Sequence, residues 1–318
     1  MSDPLVSVVL RTYKRADKLA ETINSVFNQT YKNWELIVVD DNDKSGSHSR
    51  DTGDVVKAYQ GSNNVIYIRH GENRGLCAAG DTGIARAKGE FIAFLDDDDI
   101  WDANKLEFQL RVLQSNPEVG FVFCDVTCID HADNTKKWIK YRFGEDLFVG
   151  LLKKGAGVCS STLVIKKEVL ASINGFDKNA LPAYTDYDLL LRLSLCSKYA
   201  PIEVPLLTYN VTSDGVSRNF EAKFTGKKII LERYKKYFSD KSLAPYYGSH
   251  LSVLADYAIL RGKRWSAVKY YALSISKRPA FVSTYVKLFV AFVGGERLYR
   301  FVSDRYRRYR KREVAPQI

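Results

Sequence analysis

Four consecutive aspartates, Asp96, Asp97, Asp98 and Asp99, directly follow an apolar run at residues 91–95. The run has the length and composition of a buried strand. Adjacent carboxylates repel one another unless a cation or hydrogen-bond donors compensate them. Alternate residues of an extended segment point the same way, so Asp96 and Asp98 are expected to face one site. Carboxylate oxygens suit Mn²⁺ or Mg²⁺ shared with substrate phosphates, which favours a metal–diphosphate site over the alternative of an exposed acidic turn.

Short apolar runs alternate with helical patterns over the first two thirds of the chain, which is typical of a parallel sheet built from strand–helix–strand units. From about residue 220 the pattern becomes helical, including a two-helix hairpin around Arg261-Gly262-Lys263. We therefore expect an α/β domain at 1–218 and a basic helical domain at 219–318. Lys88-Gly89 is interpreted as a helix C-cap. Strands are predicted at 6–10, 35–39, 65–69, 91–95, 121–126 and 161–165, and helices at 18–27, 55–59, 77–87 and 185–195.

Charge is unevenly distributed along the chain. The net charge is +11, yet residues 219–318 contain 22 Lys and Arg against 7 Asp and Glu, whereas residues 1–218 contain 26 against 30. Such asymmetry predicts a polyanionic partner, either nucleic acid or an anionic membrane surface. No helix-turn-helix, RNA-binding or zinc pattern accompanies the basic residues, so nucleic acid is not expected. Basic residues interleaved with Tyr and Phe at 296–313 favour the membrane, with a solvated tail as the alternative.

Cysteine usage and the N-terminal sequence bear on the compartment. Five scattered cysteines, an odd number, predict reduced thiols rather than a disulfide framework. No basic segment precedes the first apolar run, so no secretory signal is predicted, and residues 280–295 are too short to cross a bilayer. We expect a cytoplasmic protein that binds the inner face of the membrane peripherally, and association into a homo-oligomer is left open.

Three blocks of sequence, in register, resemble the family 2 glycosyltransferases, which are inverting enzymes with the GT-A fold. The first block is VSVVLRTYKR followed by SVFNQTYKNWELIVVDDND, the second is GEFIAFLDDDDIWDANKLE, and the third is INGFD with TDYDLLLRL. The resemblance covers about residues 4–218. It implies an α/β domain with a mixed, mostly parallel sheet flanked by helices, and it leaves the α-helical C-terminal domain outside the matched region.

The resemblance assigns a set of residues to the nucleotide-sugar donor. Tyr13 would stack on the nucleobase, and Asp41 would accept the uracil imide N–H; a core aromatic after a strand is the alternative for Tyr13. Arg15, Asp96 and Asp97 belong to the same donor-binding set, with Asp96 on the ribose and metal side.

The resemblance also assigns the metal ligand and the base. Asp98 would bind the metal directly, and Asp186 would be the general base. Inverting transfer needs one carboxylate that takes the acceptor hydroxyl's proton as its oxygen attacks the anomeric carbon. For Asp188 a structural role is favoured, because Thr185 precedes it at capping-box spacing and Arg192 follows it at ion-pair spacing.

The chain departs from the family pattern at several positions. Arg11 stands where the family usually has Pro, and Gly80-Asp81 replaces a usual Arg-Asn pair. Thr185 replaces a Glu before the base. A His often found on the loop at 211–219 is absent; Thr212, Ser213 and Arg218 remain, and Arg218 is a candidate cation for the diphosphate.

Together these features predict a metal-dependent, inverting hexosyltransferase. It would use Mn²⁺ or Mg²⁺ and transfer a sugar from a UDP-sugar to a hydroxyl of a glycan or lipid-linked acceptor, in cell-surface polysaccharide or glycoconjugate synthesis. One alternative is a non-catalytic nucleotide-sugar or glycan-binding protein with a decayed site. A sugar-phosphate nucleotidyltransferase is the other, although no Gly-rich triphosphate loop follows the first strand.

Overall fold

The computed structural model describes residues 3–131, 134–177, 181–211 and 219–313, with side chains up to residue 302. The strands are β1 (Val6–Thr12), β2 (Trp34–Asp43), β3 (Val65–Gly71), β4 (Phe91–Asp96), β5 (Asp99–Trp101), β6 (Val119–Asp130), β7 (Thr135–Ile139), β8 (Val164–Lys166) and β9 (Lys198–Val211). The longer helices are α1 (Ala16–Phe27), α2 (Ser47–Lys57), α3 (Leu76–Arg86), α4 (Lys105–Ser115), α5 (Leu147–Lys154), α6 (Lys167–Ser172), α7 (Thr185–Cys196), α8 (Phe220–Arg233), α9 (Ala244–Leu260), α10 (Arg264–Lys277) and α11 (Val282–Glu313).

The strands form one mixed sheet in the order β3-β2-β1-β4-β8-β6-β9-β5, with β7 paired to β6. β1 pairs in parallel with β2 and β4, and β2 pairs in parallel with β3. Every residue of β1 is buried, as expected for a strand in the middle of a covered sheet. Because parallel strands end at the same edge, the register places Arg11 beside Asp96 and Thr12 beside Asp40. The predicted α/β class is confirmed.

The direction of β8 brings a second part of the chain to that edge. β8 is antiparallel to β4, with Ala93 opposite Val164. The start of β8 therefore lies beside the end of β4. A single 3₁₀ turn, Ser160–Thr162, immediately precedes β8. The backbone N–H of Asp96 donates to the Ser161 hydroxyl at 3.1 Å, which anchors this turn to the acidic run.

Three local predictions are wrong. The helix expected at 55–59 is α2, which begins earlier, at Ser47. Its buried face includes the small polar residues Ser49 and Thr52, so the first part of the helix shows no apolar periodicity in the sequence. The strand expected at 161–165 is a 3₁₀ turn followed by a three-residue strand. Gly89 is not a left-handed C-cap; a Cβ there would lie 2.6 Å from the Ser7 backbone nitrogen, so this glycine permits close approach to β1.

The chain divides into two compact units. The first comprises Met1–Leu151, Ala156–Leu181 and Thr185–Ser213, and the second comprises Leu152–Gly155, Pro182–Tyr184 and Asp214–Ile318. A domain boundary at residue 218 stays a prediction.

The second unit contains helices α8 to α11. Helices α9 and α10 form the predicted hairpin, in which Gly262 adopts a φ of 73°. α11 is broken at Gly295, where φ is 56° and ψ is −146°. Across the described ranges, no helix has both the length and the hydropathy required to cross a membrane. A small cluster forms the core of this unit, consisting of Ala255, Ala258, Ile259, Ala267, Tyr271 and Ala291.

Two helical glycines give a matched test of the packing of helices on the sheet. A Cβ at Gly83 in α3 would lie 2.2 Å from a methyl carbon of Val9. A Cβ at Gly53 in α2 would meet only the Tyr67 side chain at ordinary distance, with the hydroxyl oxygen at 3.6 Å and a ring carbon at 3.9 Å. We expect Gly83→Ala to lower the free energy of unfolding by about 1–3 kcal/mol through overpacking. Gly53→Ala should raise it by up to about 1 kcal/mol through helix propensity. Urea titration of both variants measures this, and equal effects of the same sign would contradict the packing.

Candidate active site

Arg11, at the end of β1, is the buried cation of the site. The residue is 3% exposed, and its Nη2 donates to Asp96 Oδ1 at 2.5 Å and to the Ser160 hydroxyl at 2.6 Å. Its guanidinium carbon also lies 5.6 Å from the ring centre of Phe94 and 5.4 Å from that of Phe176. A guanidinium tolerates such a place because it can pair with a carboxylate and stack on aromatic faces at the same time.

The turn that precedes β8 joins Asp96 to Asp186. The backbone N–H of Ser160 donates to Asp186 Oδ2 at 3.0 Å, while its hydroxyl accepts from Arg11. The Ser161 carbonyl accepts from the Trp101 indole N–H at 2.9 Å, which fixes the turn from the other side. Sequence reasoning missed Ser160 and Ser161 by placing the latter in a strand. Three consecutive hydroxyl residues at 160–162, before a short apolar run, were the available signal.

Asp186, in the first turn of α7, is a carboxylate with altered acidity. It is partly buried, and burial raises its pKa, while Arg11 opposes that rise and Asp96 adds to it. A carboxyl with a raised pKa is a stronger base, and it serves best when its pKa lies near the working pH. The structure thus brings the predicted base next to the predicted donor-side carboxylate, and its catalytic role stays a prediction.

Tyr13, Arg15, Asp97 and Asp98 form a second contact group. Asp97 accepts from the Tyr13 backbone N–H at 3.0 Å and from Arg15 Nη1 at 3.2 Å. Asp98 accepts from the same Arg15 nitrogen at 2.6 Å. Burial raises the pKa of Asp97 to about 7, against the hydrogen bond from Tyr13, and burial also raises the pKa of Asp98, against the charge of Arg15. Tyr13 is 38% exposed, and the Lys14 ammonium lies 4.8 Å from the centre of its ring. Stacking of Tyr13 on a nucleobase stays a prediction.

The Asp41 carboxylate points into the protein. One oxygen accepts from the Arg74 backbone N–H at 2.8 Å and contacts His70 Nδ1 at 2.7 Å; the other accepts from the Gly75 N–H at 2.8 Å. These bonds hold the turn before α3, where Gly75 adopts a φ of 87°. Binding of a nucleobase by Asp41 stays a prediction. Arg218, the candidate cation for the diphosphate, lies outside the described residues.

The structural role expected for Asp188 agrees with its contacts. Asp188 is fully buried, and its Oδ2 accepts from Arg192 Nε at 2.8 Å, one helical turn later. Arg192 Nη1 also donates to the carbonyls of Ile173 and Gly175. The predicted i,i+4 pair is confirmed, and it ties α7 to the segment that carries Phe176.

The departure at Gly80-Asp81 has a packing explanation. A Cβ at Gly80 would lie 2.4 Å from the ring of Phe176, and Asp81 Oδ1 accepts the Phe176 backbone N–H at 2.8 Å. Phe176 in turn lies against the Arg11 guanidinium. The two departures from the family pattern, at residue 11 and at residues 80–81, therefore belong to one packed arrangement.

The acidic run fits a divalent cation. Asp99 is fully buried, and neither of its oxygens has a hydrogen-bond partner of normal geometry. Burial raises the pKa of Asp99 well above 3.8, and the charge of Asp96 adds to this rise. The Ser161 hydroxyl opposes it. In the described part of the chain no group of three or more His, Cys, Asp or Glu side chains assembles to hold a metal. Mn²⁺ and Mg²⁺ commonly need only one or two carboxylates when substrate phosphates supply further ligands. Binding of the metal by Asp98 stays a prediction.

Asp99 makes stability depend on pH in a definite direction. Its folded pKa lies above its unfolded value, so the folded chain binds more protons between the two values, and the free energy of unfolding falls as pH rises through that window. We expect Asp99→Asn to remove this pH-dependent loss of stability. The Tm of the variant should therefore increase relative to the Tm of the native chain as the pH rises from about 4 to 8. Asp17→Asn, at an exposed carboxylate of α1, is the control without such a gain. A constant Tm difference across the range would contradict the assignment.

Comparison with solved structures supports the architecture. The TarS structure of S. aureus in complex with UDP-GlcNAc superposes with a TM-score of 0.59 at 18% identity, covering 95% of this chain and 91% of that one. The mannosyltransferase PcManGT of Pyrobaculum calidifontis, in complex with GDP-Man and Mn²⁺, gives a TM-score of 0.53 at 18% identity, covering 91% and 88%. At these identities the likeness shows the fold alone, and it confirms the predicted GT-A class with a helical C-terminal region.

Sequence relatives establish the family. An uncharacterized glycosyltransferase of Methanocaldococcus jannaschii is 32% identical over 217 residues, which are 66% of this chain and 72% of that protein. The UDP-Glc:alpha-D-GlcNAc-diphosphoundecaprenol beta-1,3-glucosyltransferase WfgD of Escherichia coli is 33% identical over 171 residues, covering 54% and 63%. The sequence model of the family described as glycosyl transferase family 2 matches residues 7–173. The chain therefore belongs to glycosyl transferase family 2.

Proposed function

We propose that this glycosyltransferase takes its sugar from a UDP-sugar and transfers it, with inversion, to a hydroxyl of a glycan or lipid-linked acceptor in cell-surface polysaccharide or glycoconjugate synthesis. The acceptor class is supported by the name of the WfgD relative, which acts on a diphosphoundecaprenol-linked sugar. The donor class is supported by the UDP and UDP-GlcNAc complexes of TarS. We further propose that the reaction takes place at the cytoplasmic face of the membrane, in keeping with the basic residues of the C-terminal third.

The observation that carries the proposal is the link from Asp96 through Arg11 and Ser160 to Asp186. Three hydrogen bonds, of 2.5, 2.6 and 3.0 Å, join the donor-side carboxylate to the carboxylate proposed as base. Single displacement needs a base on one side of the anomeric carbon and a stabilised leaving group on the other. This series of hydrogen bonds holds the donor-side carboxylate, Asp96, close to the proposed base, Asp186, at one edge of the sheet.

In the proposed reaction, Asp186 accepts the proton of the acceptor hydroxyl as its oxygen forms the new bond to the anomeric carbon. The bond between that carbon and the diphosphate oxygen breaks, and UDP leaves with the electron pair. The raised pKa of Asp186 favours proton uptake, and its partial exposure allows the proton to pass to solvent afterwards. Ser160 fixes the direction of the carboxylate by donating its N–H to Oδ2.

Asp96 and Asp98 would hold Mn²⁺ or Mg²⁺ together with the diphosphate oxygens. A bound cation of this kind acts as a Lewis acid for the charge that develops on the leaving diphosphate. Arg15 already donates to Asp97 and Asp98, so this guanidinium keeps both carboxylates in place at the edge of the site.

A panel of UDP-sugars and GDP-mannose, each with and without Mn²⁺, tests the donor assignment. We expect one UDP-sugar to raise the Tm in the presence of Mn²⁺ and to be hydrolysed slowly to UDP, because specific ligands stabilise the folded state. Stabilisation without hydrolysis or transfer would favour a binding protein with a decayed site. Pyrophosphate release from a nucleoside triphosphate and a sugar phosphate would favour a nucleotidyltransferase.

Two carboxylate variants separate the base from the metal ligand. Asp186→Asn should lower kcat by about 10²–10⁴-fold with donor affinity preserved, because only proton transfer is lost. Asp98→Asn should weaken donor binding in Mn²⁺ and lower turnover. Isothermal titration with the donor and a UDP-release assay measure the two effects, with Asp17→Asn as the exposed control. Full activity of Asp186→Asn would contradict its role as base.

Removing the positive charge of Arg11 should change the pH dependence of the reaction. Arg11 opposes the rise in the pKa of Asp186, so Arg11→Met should move the acid limb of the kcat–pH profile to higher pH. Arg11→Lys keeps a charge and should move the limb less. Arg142→Met removes another ion pair, with Asp125, and is the control. An unmoved limb in a folded Arg11→Met protein would show that Arg11 does not tune the base.

A further inference from the structure

One helix of the second unit is apolar on two opposite sides. Over its first half, α11 packs one side into the helical core, where Thr284 and Ala291 are buried and Leu288 contacts the core cluster. The opposite side carries six large apolar residues that remain exposed by 43% to 73%, and they are Val282, Tyr285, Val286, Phe289, Phe292 and Val293. We call these six residues the outer stripe.

The outer stripe is continuous in space. At 3.6 residues per turn its members fall within an arc of about 120°. The stripe extends onto α10, because the Trp265 ring, 66% exposed, lies 6.0 Å from the ring of Phe292. Leu273 is also exposed and lies two helical turns after Trp265 on the same helix. Contiguous apolar surface of this kind marks a binding surface rather than scattered exposure.

Cationic side chains border the stripe. The Arg264 guanidinium lies 5.3 Å from the centre of the Trp265 ring, and that of Arg278 lies 3.3 Å from the centre of the Phe281 ring. Lys269 and Lys277 are exposed on α10. Lys and Arg beside aromatic residues suit the headgroup region of a bilayer, where the aliphatic stem lies in apolar surroundings and the charge reaches the phosphates.

We propose that the outer stripe, together with Trp265, inserts into the interfacial layer of an anionic lipid bilayer, with α11 lying along the membrane surface. This inference deepens the membrane association proposed above by naming the surface that would bind lipid, and it is argued from the exposed side chains rather than from the proposed reaction.

Charge favours the bilayer over a second copy of the chain. Residues 219–318 carry 22 Lys and Arg against 7 Asp and Glu, so two such surfaces placed face to face would repel each other. An anionic membrane attracts the same residues, by roughly 1 kcal/mol for each Lys or Arg near the surface. The apolar contact and the electrostatic attraction therefore act in the same direction at a lipid surface.

Flotation of the full chain with vesicles tests the proposal. Vesicles of phosphatidylcholine mixed with phosphatidylglycerol should bind the chain, vesicles of phosphatidylcholine alone should bind it more weakly, and added salt should weaken binding to the mixture. Phe289→Ser with Phe292→Ser should reduce binding to the mixture by about tenfold or more, since two aromatic anchors leave the lipid. Leu195→Ser, at a 52% exposed leucine of α7, is the matched control and should bind like the native chain.

The native chain and the double variant also distinguish a failure of this proposal from a failure of the proposed function. The Tm and UDP affinity of the double variant should equal those of the native chain, because its two substitutions are at exposed positions. Equal vesicle binding by the native chain and the double variant would overturn the proposal, as would no binding by the native chain. A native dimer that the double variant converts to a monomer, with vesicle binding unchanged, would assign the stripe to a second copy.

Discussion

The ion pair between Arg11 and Asp96 is the interaction on which the arrangement of the site depends. Four carboxylates, those of Asp96, Asp98, Asp99 and Asp186, interact electrostatically at one sheet edge, and burial raises the pKa of three of them. A buried guanidinium that donates to both Asp96 and Ser160 limits this repulsion and at the same time joins two distant segments. The Arg11 guanidinium therefore both compensates the negative charge and connects the segments that form the site.

The arrangement around Arg11 also connects positions that are far apart in the sequence. The Arg11 guanidinium lies 5.4 Å from the centre of the Phe176 ring, which packs against it. The ring needs space, which Gly80 leaves, and its backbone needs an acceptor, which Asp81 provides. The positions at residue 11 and at residues 80–81, which both differ from the pattern of the resembled family, therefore meet at the Phe176 ring.

Local patterns in the sequence predict those features that depend on near neighbours. The four-residue spacing in a helix predicted the pair of Asp188 with Arg192. The strand alternation expected for Asp96 and Asp98 does not extend to Asp98, because residues 97 and 98 form a turn and Asp98 shares Arg15 with Asp97. The partner of Arg11 could not be predicted in this way, because Arg11 and Ser160 are 149 positions apart. The early start of α2 was missed for a related reason: its buried face uses Ser and Thr, whose burial depends on partners in other elements.

The antiparallel course of β8 has a consequence for any recombination of such chains. Because β8 runs antiparallel to β4, the segment that leads into β8 lies beside the end of β4. Hydrogen bonds join these two segments, and we call this junction the seam. Residues 11 and 80 lie on one side of this seam, and residues 160 and 176 lie on the other. A chimaera that joins the N-terminal part of this chain to the C-terminal part of a relative would have to transfer these four positions as a set. Residue 11 contacts residue 160, and residue 80 leaves space for the side chain of residue 176.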